Sequence, residues 1–585
     1  MGVSLRLPAI LVALVALLAA PGAAGAQQDS LVPEARPAPS PTTVPPGFSL
    51  SPRDAVAVAD AVAAVRRVRR THPGVRPSVA IPTYLGPRPR WEVGYARPGG
   101  SRLVEVHVDG RSGRVMETWT GPQVDSLMAR GYEPSVGGRL LNAPYVWLPL
   151  CLVFLVPFLD PRRPLRLLHL DLLMLLGFGL SQLFLNRGQI ELSVPLAYPF
   201  LAYLLARLLL AGFRPRPRSG PIVPIVPMRV LAVGLLLLVC FRVALNVTDS
   251  SVIDVGYASV VGADRIEHRE QLYTDNDVHG DAYGPVNYLA YIPFELVFPT
   301  SGSWDSVPAA HAASLTFDLL TILGLFLLGA SLRGGREGRG LGLALAFAWA
   351  AYPYTTYVLQ SNTNDGLVAM LLVYALLALR SPAARGGLLG LGTAAKFIPL
   401  ALAPLFALGV GERRPRSLAA YCGVLAAVLA VAVLAYLPDG GIRELYNATV
   451  GYQLGRTSPF SLWGLHPSLS VVQALLEGAA VALALVVAVR PRRRDARQVA
   501  ALGAAVLIAA EIAATHWFYF YLVWFAPFAL VAMLGAYRAP EAPGAPERAR
   551  GRVPALAGSR SVSGVTASTP SRSLASSPAA VNRSW

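Results

Sequence analysis

From Leu141 onward the chain alternates apolar runs with short loops that are either arginine-rich or polar and aromatic. The runs 143–159, 167–186, 195–213, 228–247, 309–330, 341–358, 366–380, 418–437, 468–489, 499–514 and 517–537 approach the roughly 17–20 residues that a helix needs to cross a hydrocarbon core. The stretch 386–410 is too long for one span and too short for two. With Lys396 and Pro399 at its middle, it predicts a short hairpin in the membrane. Ahead of Leu141 the period changes. Residues 54–70 have helical apolar spacing, whereas Trp91, Val93 and Tyr95, and then residues 103–108, alternate as strands do. Asp109-Gly110-Arg111-Ser112-Gly113 reads as a hairpin turn, because glycine permits positive φ, and residues 114–121 form the returning strand. The expected fold class is an all-α polytopic membrane protein, with about 11 spans plus the hairpin, carrying a small α+β N-terminal domain outside the membrane.

Composition supports this reading. Of 585 residues, 54% are hydrophobic and only 15% charged, with a mean hydropathy of +0.47, against about 25% charged in soluble proteins. The net charge of +17 could suggest nucleic acid, but the arginines sit between apolar runs, where they act as topology signals, so no nucleic-acid partner is expected. Loops 160–166, 214–218, 333–339, 380–385, 412–416 and 490–497 are all arginine-rich and fall on one side of the predicted topology, the cytoplasmic side. Loops 187–194, 248–308, 359–365, 438–467 and the bend near Thr515 fall outside, provided that 288–299 is interfacial or re-entrant rather than a span. Cys151, Cys240 and Cys422 lie in apolar runs and support neither a disulfide framework nor a zinc site.

The expected organisation is a signal segment over 1–26 (or an uncleaved anchor), a Pro-rich spacer over 27–52 and an exterior domain over 53–140. A three-span segment, 141–227, and the main membrane core, 228–537, follow, with a disordered cytoplasmic tail over 538–585. The cell membrane is the expected location, with membrane lipids as neighbours.

The polar, aromatic loops gather on the outer face. One is 248–287, with Asp254, Tyr257, Arg265, Asp275, Asp277, His279, Asp281 and the turn Tyr283-Gly284-Pro285. Others are 360–366, with Asn362, Asn364 and Asp365, 446–464, with Arg456 and Trp463, and 515–519, with His516. Together with the bend at Lys396, the only lysine of the chain, they would form one polar chamber.

These features resemble the GT-C glycosyltransferases that use polyprenyl-phosphate sugars, and within them the mannosyltransferases of the glycosyltransferase-87 type. The likeness covers roughly 228–537. It rests on an aspartate in the first large exterior loop, the Tyr283-Gly284-Pro285 re-entrant turn, the Gly392–Lys396–Pro399 hairpin and the Arg456–Gly464 stretch. The chain departs from that pattern in its three extra spans, its exterior domain and the Val286 that follows Pro285 where relatives often have a second proline. The exterior domain, with its helix, strands and Asp-Gly-x-x-Gly turn, resembles a PepSY-type module, usually regulatory or binding.

The resemblance implies transfer of a sugar, mannose first among candidates, from a polyprenyl-phosphate carrier to a glycolipid, polysaccharide or protein acceptor. Asp254 would act as general base in an inverting displacement, since a hydroxyl is a poor nucleophile until its proton is taken. Lys396, Arg456 and Arg265 would contact the donor phosphate. Tyr257, Tyr283, Trp463 and His516 would contact the sugar or prenyl chain. The scheme needs no cofactor and no metal. Plainer readings stand beside these assignments. Asp254 could be a helix cap, with Asp264, Asp275, Asp277 or Asp281 as the base, and Asp277, His279 and Asp281 could form a weak divalent-ion site. Lys396 could snorkel to the interface, Arg456 could be a plain loop cation, and His516 and Trp463 could belong to an interfacial aromatic belt. A transporter or flippase of a lipid-linked intermediate is the alternative function. It calls for ionisable groups through the membrane midplane, whereas the polar residues here are expected at one face.

Overall fold

Five antiparallel strands in the order β1 to β5 form the N-terminal sheet: Ala35–Pro37, Arg76–Pro82, Arg90–Ala96, Arg102–Asp109 and Val115–Thr120. The structure is a computed structural model, and it describes residues 35–38, 40–82, 89–98, 102–125, 136–273, 282–301, 307–411, 414–455 and 458–538. The expected signal segment and almost all of the expected tail lie outside these residues. Trp91, Val93, Tyr95, Val104, Val106 and Val108 alternate onto one face of the sheet and pack against two helices through Ala55, Ala59 and Val65. The turn after β4 is as expected: the Asp109 carboxylate accepts from the Arg111 and Ser112 amides at 3.0 and 2.7 Å, and Gly113 has φ +72°.

Two expectations for this domain change. The helix expected over 54–70 is two, Pro52–Asp60 and Ala63–Thr71, broken at an extended Val62. The break turns the second helix so that Arg69 pairs with Asp60 at 2.7 Å, while Tyr95 donates to the same carboxylate oxygen at 2.6 Å. Part of the segment expected to be a spacer, 27–52, is built into the domain. Ala35–Pro37 pairs with β2, Phe48 packs on Trp91 with ring centroids 4.7 Å apart, and Trp91 Nε1 donates to the Leu50 carbonyl. Its prolines hide the alternation that would reveal a three-residue edge strand.

The rest of the described chain is mostly helical. Among the described residues, seven helices are long and apolar enough to cross a membrane: Leu167–Leu185, Ile190–Phe213, Met228–Asp249, Pro308–Leu332, Pro415–Ala435, Pro467–Val489 and Ala496–Ala513. Four apolar helical segments are shorter: Pro144–Phe158, Asp365–Leu377, Ile398–Leu408 and Tyr519–Leu534. The expected span 341–358 is not one rod. Helix Gly335–Ala351 stops at Tyr352, and Pro353 starts a second helix, Pro353–Gln360. Proline lacks the amide that would bond the Trp349 carbonyl; Thr355 Oγ1 takes that carbonyl at 2.6 Å instead. Residues 285–295 form two short helices, Pro285–Leu289 and Ile292–Glu295, neither long enough to span. Helices Leu167–Leu185 and Ile190–Phe213 are tied into the bundle, since Tyr519 Oη lies 2.6 and 3.0 Å from the Ser181 and Ser193 hydroxyls and Tyr352 Oη donates to the Leu175 carbonyl.

The segment read as a loop, 248–287, contains a 14-residue helix, Asp254–Glu267. Gly256 and Gly262 weaken its helical propensity, but both serve packing. A Cβ at Gly256 would collide with the Asn362 carbonyl, and one at Gly262 with the Tyr288 ring.

Candidate active site

Close backbone approaches bring three separate segments together. Beside the Gly256 contact, the Ser251 and Ile253 amides donate to the Gln360 and Ser361 carbonyls at 3.1 and 3.2 Å. Asn362, at φ +48°, donates its side-chain amide to Ser250 Oγ and the Ser251 carbonyl at 3.1 and 2.9 Å. Asn246 donates to the Leu359 carbonyl at 2.9 Å. The stretch just before Asp254 is thus fastened to the turn that leads into Asp365. On another side, Gly284 lies against the last turn of helix Pro382–Ala395. A Cβ there would collide with the Ala394 carbonyl, and the Gly284 amide donates to the Ala395 carbonyl at 3.1 Å.

Lys396 stands where that helix stops. Its Nζ donates to Asp365 Oδ1 at 2.6 Å, and the two side chains are 11% and 2% exposed. Asp365 is the first residue of helix Asp365–Leu377, so aligned amides stabilise its negative charge. It also accepts from Trp524 Nε1 at 3.1 Å and from Thr363 Oγ1 at 2.8 Å. The ammonium lies 5.2 and 5.5 Å from the ring centroids of Tyr283 and Trp524, within cation–π range, and Trp524 stacks on Tyr521 at 4.1 Å. An ammonium has three donors; among the described residues the hydrogen bond of Lys396 Nζ goes to Asp365. The site therefore fixes a cation while leaving it capacity for an anionic oxygen.

The sequence-predicted residues fall into distinct places. Asp254 is the first residue of its helix and is half-buried. Tyr257, one turn on, is buried in the same apolar cluster as Val252 and Tyr291. Tyr283 and Lys396 meet, as above. His516 Nδ1 lies 2.7 Å from Ser458 Oγ, and the ring sits edge-on to Tyr521, which leads to Trp524. Trp463 belongs to the wall: its Nε1 donates to the Ile512 carbonyl at 2.9 Å, and its ring meets Tyr198 edge-on. Arg265 is eleven residues along the helix from Asp254, about 16 Å at 1.5 Å per residue, so the structure does not place it beside that carboxylate. Arg456, Asp275, Asp277, His279 and Asp281 lie outside the described residues, and with them the alternative divalent-ion site.

Sequence reasoning gave no role to Asp365 or Trp524. The available signal for Asp365 was an acidic residue at the first position of an apolar run. For Trp524 it was an indole three residues after Tyr521, on the same helical face.

Two further ion pairs lie inside the bundle, so ionisable groups are not confined to one face as expected. Arg242 pairs with Asp318 through Nε and Nη2 at 3.0 and 2.6 Å, and its Nη1 donates to the Ala350 carbonyl, Thr355 and Thr356. Arg207 pairs with Asp171 at 2.9 Å. In the N-terminal domain, on the sheet face away from its helices, the buried Glu92, Glu105 and His107 bring ligand-type atoms within 4.8 Å of one another. Arg102 stands between the two carboxylates at 2.6 and 2.5 Å, supplying there the positive charge that a cation would. Burial alone would lower its pKa, but the two carboxylates outweigh that and hold it above the ordinary value.

No curated protein matches the chain. Residues 282–515 match the family model described as Glycosyltransferase family 87. That range takes in Tyr283, Lys396, Arg456 and Trp463 and begins after Asp254, Tyr257 and Arg265. The match indicates a glycosyltransferase.

Proposed function

We propose that the chain transfers a sugar, mannose in the first instance, from a polyprenyl-phosphate carrier to an acceptor hydroxyl outside the cell membrane. The observation that carries this reading is the meeting of the Tyr283-Gly284-Pro285 turn, Lys396 and Asp365, with the Asp254 segment fastened to the turn before Asp365. Asp254 takes the proton of the acceptor hydroxyl, whose oxygen attacks the anomeric carbon. The carbon–oxygen bond to the phosphate breaks on the opposite face, and the electron pair leaves on the phosphate, so configuration inverts. Lys396 stabilises that developing charge in a site of low polarity. Asp365 and Trp524 hold Lys396 in place. Asp365 is itself unsuited to be the base, because its charge is already engaged by Lys396, Trp524 and Thr363.

The arginine-rich loops support an orientation with this site outside and the tail in the cytoplasm. The acceptor is a glycolipid, an envelope polysaccharide or a protein. The N-terminal domain, PepSY-like in its sequence, serves binding or regulation. Replacing Asp254 with Asn keeps the size and removes the base. Membranes carrying this variant, given labelled polyprenyl-phosphate mannose and envelope extract, are expected to lose product by at least about 10²-fold, within the usual range for general acid–base catalysis. Near-normal product would refute the role of Asp254.

A further inference from the structure

A cavity of about 610 Å³ lies away from the Lys396 site, with none of that site's residues in its lining. It forms where the loop before helix Leu167–Leu185 meets strand Arg218–Ser219, which pairs in parallel with Tyr537–Arg538. Trp524 lies near the start of helix Leu522–Leu534 and Tyr537 just past its end, and the helix rises about 15 Å from Trp524 to Leu534. Arg163, Arg166 and Arg218 line the cavity, and among the described residues no carboxylate does, although Asp171 is near enough to Arg218 for their charges to interact.

Arg166 is only 9% exposed. Its Nη2 donates to the Pro221 carbonyl at 2.8 Å, and its guanidinium carbon lies 3.8 Å from the Tyr537 ring centroid. Its Nη1 is buried and meets no acceptor, and neither does the hydroxyl of Tyr537, which is 3% exposed. Unmet donors on a buried charged group are costly, and clustered cations repel one another. The arrangement is nonetheless held rigidly, since Arg333 Nη2 donates to the Gly535 and Tyr537 carbonyls at 2.7 and 2.6 Å and Arg163 Nη1 to the Ser219 carbonyl at 3.1 Å. A multivalent anion in the cavity would offset the three charges together, and it would meet Arg166 Nη1 and the Tyr537 hydroxyl, both buried, once those side chains turn toward it. Guanidinium forks match phosphate oxygens in geometry as well as in charge.

Leu165, between Arg163 and Arg166 in the chain, is 98% exposed. An apolar side chain projecting beside an anion site suits an amphiphile better than a free ion. The arginine-rich loops that form the cavity also belong to the face expected to meet the cytoplasmic leaflet, where anionic lipids collect. We propose that this cavity binds a phosphate group, carried by an anionic phospholipid whose acyl chain lies along Leu165. The site is independent of the sugar-transfer reading.

The test uses the full chain in a neutral detergent, with dioleoylphosphatidylglycerol, dioleoylphosphatidylcholine or inorganic phosphate added to wild type and to Arg163→Gln/Arg218→Gln. Phosphatidylglycerol is expected to raise the thermal midpoint of wild type, phosphatidylcholine to leave it unchanged, and the double variant to lose roughly half or more of the shift. Native mass spectrometry of the folded fraction should show one phosphatidylglycerol fewer retained by the variant. A full shift from inorganic phosphate would support phosphate recognition and assign its source to the soluble ion. Equal shifts for wild type and variant, or for the two lipids, would overturn the proposal.

Discussion

The Arg242–Asp318 and Lys396–Asp365 pairs are both buried in one helix bundle, yet they are built differently. Arg242 is 1% exposed, and its Nε, Nη1 and Nη2 all donate to protein acceptors: both Asp318 oxygens, the Ala350 carbonyl and two threonines. Trp349 adds a bond to Asp318 at 2.9 Å. Lys396 makes one hydrogen bond among the described residues, to an Asp365 already held by Trp524 and Thr363, and rests between two aromatic faces. A cation with every nitrogen engaged by the protein holds structure. One anchored by a single bond keeps capacity for a ligand. Burial does not distinguish the two charges; the number of protein acceptors each engages does.

The difference can be broken from either side. Arg242→Met should have the largest effect, because it leaves Asp318 charged and buried without its partner, a loss of about 3–5 kcal/mol. Thermal unfolding in detergent would show it, and Arg242→Met/Asp318→Leu should recover much of the loss. Removing the other pair as Lys396→Gln/Asp365→Asn should instead cut sugar transfer by about 10²–10³-fold, as for a lost electrostatic stabiliser, with a much smaller change in the unfolding midpoint. Gly284→Ala comes next. Its Cβ must displace the Ala394 carbonyl, an overpacking cost of about 1–3 kcal/mol, and Tyr283 should move off Lys396, so transfer should fall with it. Trp524→Phe keeps a ring but loses the bond to Asp365, and about 1.5–3 kcal/mol for a hydrogen bond to a charged group is its upper bound.

The smallest effect concerns carboxylates outside the bundle. Hydrogen bonds from Ser51 hold Asp54 below its usual pKa, and bonds from the Ser112 amide and hydroxyl and the Arg111 amide do the same for Asp109. A depressed folded-state pKa contributes stability that is present above the unfolded value, near 4, and is lost as pH falls through the folded one. The N-terminal domain should therefore loosen slightly below about pH 4, and Asp109→Asn should reduce that sensitivity, as read by tryptophan fluorescence of Trp91.

What the sequence made legible follows physical range. Apolar run lengths located the long helices, and the glycine turn at 109–113 and the break at Lys396 are set by local chemistry. The helix Asp254–Glu267 was read as loop because its glycines lower helical propensity, and the packing that offsets this comes from Asn362 and Tyr288, far along the chain. Asp365, Trp524 and the Arg242–Asp318 pair went unassigned for a related reason. Their partners lie 31, 159 and 76 residues away, and periodicity reports which face is apolar, not which charges will meet across it.

Donor binding is the measurement that bears most directly on the account. Labelled polyprenyl-phosphate mannose would be titrated onto detergent-purified wild type, Lys396→Gln/Asp365→Asn and Arg242→Met/Asp318→Leu. Affinity should fall by about tenfold or more, roughly 1.4 kcal/mol, for the Lys396 variant and stay near wild type for the folded Arg242 variant. Equal affinity for all three, or loss confined to the Arg242 variant, would contradict it.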